Sequence, residues 1–154
     1  MRQHVRLALA TPVLPESFNL MMQTDFDVVE SAQVPRLGPY SQAIRVGDLI
    51  YTAGQPGMNP KTGEVAGATF EAQARQAFAN LRAVLEDAGS GLDRVIKVTC
   101  YVGDPAGFSK LNDLFAEYFP EKPPVRSAPI VQLPRGLLFS IDAIAVARPT
   151  GKPT

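Results

Sequence analysis

Residues 69–102 read TFEAQARQAFANLRAVLEDAGSGLDRVIKVTCYV, and the change of period inside this stretch decides the fold. From Thr69 to Ala88 the apolar positions Ala74, Ala77, Phe78, Leu81, Val84, Leu85 and Ala88 recur at three and four, the spacing of one helical face. Arg75, Arg82 and Glu86 fall largely on the other side, so the helix packs against something flat. Thr69 suits an N-cap, Glu71 the first turn and Gly89 the C-terminal stop. Val95 to Val102 then abandons the helical period and fills with β-branched residues, which predicts a well-buried strand.

Outward from this core the pattern continues. Upstream, SQAIRVGDLIYTAG predicts a hairpin, with strands at Ala43–Val46 and Leu49–Thr52 around Gly47-Asp48. Gly54 to Gly67 is a Gly/Pro/Asn-rich loop. Val34 to Tyr40 is a punctuated leading loop, and residues 1–33 show no sustained period, which predicts an irregular N-terminal extension. Its start carries Arg2 and Arg6 with a short apolar patch interrupted by Pro12 and Pro15, too broken for a signal peptide. A floppy extension, or a true start at Met21 or Met22, is the plainer account. Downstream, Asp104-Pro105 opens a second helix with a stripe of Phe108, Leu111, Phe115, Tyr118 and Phe119, stopped by Pro120. A short irregular strand is expected at Ser127–Val131 and a final strand at Leu137–Val146. The unit ends near residue 148, leaving a tail from 149 to 154.

Two helices and four to six strands predict a single-domain α/β (α+β) fold, a sheet covered by helices on one face. Ile44, Val46, Ile50, Val98, Ile141 and Ile144 are more apolar material than one helical layer hides. They point to self-association through the open face.

Composition removes many functions. The chain has 154 residues with fifteen basic and fifteen acidic side chains. No basic excess invites nucleic acid or an anionic membrane. A single Cys, Cys100, permits no internal disulfide, which points to the cytoplasm rather than secretion. With one His, His4, there is no His triad and no His/Cys zinc set. No apolar run approaches the ~20 residues of a membrane helix. Cys100 belongs to the buried strand, with Lys97 on its opposite face, so it reads as packing rather than as a reactive thiol.

Six blocks carry more information than their composition. GPYSQA (38–43), YTAGQ (51–55), NPKTGEV (59–65), EAQARQAFANL (71–81), PVRSAPI (124–130) and IDAIAV (141–146) resemble, in order and spacing, the successive blocks of the RidA/YjgF family. The resemblance spans about residues 34–148. It implies a chorismate-mutase-like fold and a homotrimer with a central β-barrel and clefts between subunits. It also implies hydrolysis of 2-imino and 2-enamino acids, such as 2-aminoacrylate and 2-iminopropanoate, to 2-keto acids and ammonia. That chemistry needs no metal or other cofactor, and no nucleic-acid or membrane partner.

Carried onto this chain, the resemblance makes Arg126 the grip on the substrate carboxylate. A planar, permanently charged guanidinium suits that task. Tyr40 borders the cleft, Gly54 brings backbone close to the ligand, and Ala128 contributes main-chain groups. The chain also departs from the pattern. Ala53 stands where many members have Ser, Ala128 where many have Cys, and the Arg126–Pro134 interval is one residue short. Ser140 occupies the place of the Glu that positions the attacking water. A hydroxyl can orient water but cannot take its proton as a carboxylate does. Asp142 lies two residues on, nominally on the same strand face, and reads as structural. The expectation is therefore a deaminase of weakened or shifted activity. A non-catalytic carboxylate-binding trimer is the alternative. A ribonuclease or translation inhibitor is disfavoured by the neutral charge, and a holdase chaperone has no specific signal. Chorismate mutase shares only the architecture.

Overall fold

The computed structural model describes residues 25–150, and its central helix forms where the capping residues place it. This helix, α1, spans Phe70–Asp87. The Thr69 hydroxyl accepts a hydrogen bond from the Ala72 amide at 3.2 Å, and left-handed Gly89 (φ 78°) closes the other end. The stripe read from the sequence, Ala74, Ala77, Phe78, Leu81, Val84 and Leu85, is fully buried.

The strands are β1 (Asp27–Val29), β2 (Ala43–Val46), β3 (Leu49–Thr52), β4 (Gln55–Pro56), β5 (Val95–Val102), β6 (Val125–Ser127) and β7 (Phe139–Val146). They form one sheet in the order β1-β2-β3-β7-β5-β6, with β4 also paired to β7. Every pairing is antiparallel except β5–β6, which is parallel. A parallel neighbour needs a crossover, and here a second helix, α2 (Phe108–Tyr118), supplies it. The described residues thus form a single mixed α+β domain with one sheet and two α-helices.

Three expectations shift. The segment expected to be irregular up to residue 33 contains β1, which extends the sheet edge by pairing Val28 with Ile44. Residues 1–24, including His4 and the Arg-bearing start, lie outside the described residues, as do residues 151–154. The strand expected at Ser127–Val131 sits earlier, at Val125–Ser127. Pro129 has no amide to donate, and beyond Ser127 only a single bridge, Val102 to Ile130, continues the pairing. The second helix opens with a 3-10 turn, Pro105–Gly107, capped by Asp104, whose carboxylate accepts from the Ala106 amide at 3.0 Å.

The two sheet faces differ sharply. Ile50, Val98, Cys100, Ile141 and Ala143 lie under the helices, around Phe78, whose ring stacks on Tyr118 at 4.2 Å. Ile50, Val98 and Ile141 are therefore core residues, not part of an uncovered face; strand alternation alone leaves the choice of face open. The opposite face carries Val28, Ile44, Tyr51, Ile144 and Lys97 in one cross-strand row. Val46, Leu49 and Val146 form the next row. Nothing among the described residues covers it: Val28 is 53% and Tyr51 44% exposed.

Candidate functional site

At one end of the open face, three chain segments meet. The leading loop is tied down by Gln42, whose side chain accepts from the Ser31 amide at 2.8 Å and donates to the Val34 carbonyl. Buried Asn80 of α1 donates to the carbonyls of Pro56 (3.1 Å) and Met58 (2.9 Å) and so fixes the segment after β4. Gln73 of α1 accepts from the Leu138 amide at 2.8 Å and sets the start of β7. Helix α1 thereby positions both walls through amide side chains.

These segments enclose a cleft of about 330 Å³. Leu37, Pro56, Met58, Leu133, Pro134 and Leu137 give it apolar walls, and Tyr40, Gly54, Arg135 and Ser140 supply its polar groups. Gly54 is tightly placed: a Cβ there would come within 3.3 Å of the Ser140 hydroxyl oxygen. A side chain there would press on that hydroxyl, and glycine keeps the space between this backbone and the hydroxyl open.

Tyr40, Gly54 and Ser140 are thus brought together as the sequence suggests. Arg126 and Ala128 are not in this cleft. Arg126 lies on the edge strand β6, opposite Val98 of β5, with its guanidinium over α2. It donates to the Asn112 side-chain oxygen at 2.9 Å and stacks on Phe115, 4.7 Å from the ring centroid. A second depression, with Asn112, Phe115, Phe119 and Pro123, surrounds it. Ala128 packs half-buried against the core. Within one chain the expected carboxylate grip and the expected water-positioning hydroxyl therefore occupy different clefts.

Asp142 has a partner: the Tyr101 hydroxyl donates to its carboxylate at 2.7 Å. That bond, followed by burial, raises the Tyr101 phenol above its ordinary range. Tyr101 pairs directly with Ser140 across β5 and β7. Cys100 is fully buried, and burial pushes its thiol up to about 12, so it is an inert core residue. No group of His, Cys, Asp and Glu suited to a metal occurs among the described residues, and no helix among them is long and apolar enough to cross a membrane.

Two polar residues near the site escaped the sequence reading. Arg135 lies between Pro134 and Gly136, and no motif block covers it. Tyr101 looked like a member of a hydrophobic strand, and only the strand register shows that it faces Ser140.

Comparison with known proteins adds to this geometry. Residues 31–147 match the family described as Endoribonuclease L-PSP. A RutC family protein of Pyrococcus horikoshii is 44% identical over 121 residues, covering 77% of this chain and 96% of that protein. A 2-iminobutanoate/2-iminopropanoate deaminase of Bos taurus is 37% identical over 124 residues, covering 79% and 90%. The crystal structure of E. coli TdcF with bound serine superposes with a TM-score of 0.74 at 31% identity, covering 79% and 99%.

Proposed function

We propose, from the premise that this chain belongs to the RidA/YjgF family, described as Endoribonuclease L-PSP, that it is a cytoplasmic hydrolase of reactive 2-imino and 2-enamino acids. The products are 2-keto acids and ammonia, and the working form is a homotrimer. The observation that carries this reading is the Gly54 backbone set against the Ser140 hydroxyl beside Tyr40. It offers an open cleft with room for one small molecule and one water.

Arg126 holds the substrate carboxylate with paired charge-assisted hydrogen bonds. It reaches the Tyr40–Gly54–Ser140 cleft from a neighbouring copy, because its own copy directs it over α2. The row of Ile44, Tyr51 and Ile144 is the surface that brings copies together, closing three sheets around a central barrel. Ala128 offers main-chain groups beside Arg126. Ser140 orients water toward the imine carbon. An enamino acid first tautomerises to the imine; the water oxygen then bonds to the imine carbon, both water protons pass in turn to the nitrogen, and the tetrahedral adduct collapses to the ketone as the C–N bond breaks and ammonia leaves. Asp142 is occupied by Tyr101 and serves the sheet rather than the water.

Without a carboxylate at position 140, about a hundred- to ten-thousand-fold of general-base assistance is forgone. Imine hydrolysis proceeds in water unaided, so binding and orientation still give a measurable gain. Support comes from the relative of Bos taurus that bears the deaminase name. The structural neighbour TdcF of E. coli was crystallised with bound serine, a small amino acid bearing one carboxylate. Purified protein is expected to speed the loss of enzymatically generated 2-iminopropanoate, and Arg126→Ala to erase the gain. Equal decay with and without protein defeats the reading.

One observation favours a second reading, a carboxylate-binding regulatory trimer: no acidic side chain among the described residues lines the Ser140 cleft. Calorimetry showing 2-ketobutyrate binding, with no imine acceleration, selects it. A ribonuclease finds no support in a chain of zero net charge.

A further inference from the structure

We infer that Arg135 binds a second carboxylate, so that the cleft prefers dicarboxylic 2-imino acids over short monocarboxylic ones. This rests on the assignment of Arg126 to the 2-carboxylate and extends it to the other end of the substrate.

Three observations point the same way. Among the described residues, Arg135 is the single cation lining the cleft that contains Tyr40, Gly54 and Ser140, and no acid lines that cleft. Its charge is not neutralised: none of the ion pairs among the described residues includes it. Its one hydrogen-bond acceptor among the described residues is the Met58 thioether, at 3.9 Å, a weak acceptor that leaves most of its donors unsatisfied.

The third observation is conformational. Arg135 has φ 58° and ψ 20°, and it is the one non-glycine residue of positive φ among the described residues. An L-residue disfavours that region. Glycine would fit this turn without strain, and Gly136 beside it also has positive φ. A long cation held there, facing an otherwise acid-free cleft, is the pattern of a residue kept for its ligand rather than for its turn. A guanidinium fork also selects a carboxylate over a neutral side chain.

The test compares stable keto acids as probes. Calorimetry at fixed ionic strength measures 2-oxoglutarate and 2-oxobutyrate binding to the full chain, to Arg135→Gly, to Arg135→Lys and to Arg126→Gln. Arg135→Gly suits the backbone, and an unaltered or raised melting temperature verifies that it folds. Wild type is expected to bind 2-oxoglutarate at least about tenfold more tightly than 2-oxobutyrate, the scale of one charge-assisted hydrogen-bonded contact. Arg135→Gly brings that ratio close to one, and Arg135→Lys restores part of it. No preference in wild type, or a preference that survives in Arg135→Gly, overturns the inference. So does an equal loss of both ligands in Arg135→Gly. If Arg126→Gln leaves both ligands bound while Arg135→Gly still collapses the ratio, the role given to Arg126 fails and that of Arg135 stands.

Discussion

Single residues carry unequal shares of this molecule's behaviour, and Arg135 shows why. A left-handed L-residue is disfavoured by roughly 1–2 kcal/mol, whereas glycine brings its own entropic cost of about 0.5–1 kcal/mol. Arg135→Gly should therefore stabilise the fold by up to about 1 kcal/mol, a rise of roughly 2–4 °C in Tm by calorimetry. A lower Tm would mean that the turn is not strained. Tyr40 and Gly54, which meet in the cleft, each sit inside a motif block of fixed spacing; Arg126 does too, yet the structure sets its guanidinium over α2, outside that cleft. Arg135 lies outside every block, and its backbone angle is imposed by the closure of the Pro134–Gly136 turn onto the cleft. Ser140 was legible as a departure, but its contact with Gly54 appears only once β4 and β7 are paired.

Elements were readable where their determinants are local. Helix α1 announced its caps and its buried stripe, and the β2–β3 hairpin its turn. Strand β6 was misplaced because parallel pairing with β5 is set by the crossover through α2, not by the residues of β6 alone. Strand β1 was missed because three residues carry no period. The contact between β4 and α1 leaves a narrow margin. A Cβ at Gly57 would lie 2.6 Å from the Gln73 Cα and would also meet the Gln73 carbonyl. Gly57→Ala should cost about 1–3 kcal/mol, read from urea unfolding; a neutral effect would show that α1 can shift. At the far end of α1, Asp87 accepts from the Ser31 hydroxyl (2.6 Å), the Ala32 amide (3.2 Å) and the Gln33 side chain (3.1 Å). These bonds, the one from Ser31 foremost, hold its carboxyl below the ordinary range. A depressed folded value stabilises above the unfolded carboxyl value near 4, and that contribution is lost as pH falls through the folded value. Asp87→Asn should be less stable than wild type at pH 7, by no more than about 1 kcal/mol at so exposed a site. The gap should close as pH falls through that depressed folded value. A gap independent of pH would remove the carboxylate from the account.

At the scale of the whole molecule, the sheet has one finished face and one unfinished one. The sequence revealed the surplus of apolar residues but not their sides. Ile44, Val46 and Ile144 are on the open face, while Ile50, Val98 and Ile141 are core, because a period of two does not say which set meets the helices. The same incompleteness divides the candidate site, with Tyr40, Gly54 and Ser140 in one cleft and Arg126 over α2. The central claim is that neighbouring copies unite the two halves. Co-expression of Arg126→Ala with Gly54→Val tests it most directly, since the added side chain at 54 would crowd the Ser140 hydroxyl. Each variant alone should be inactive toward 2-iminopropanoate. Mixed oligomers should regain about a quarter of wild-type activity, the share of clefts that draw an intact half from each chain. Mixed oligomers that remain inactive would contradict a site shared between copies.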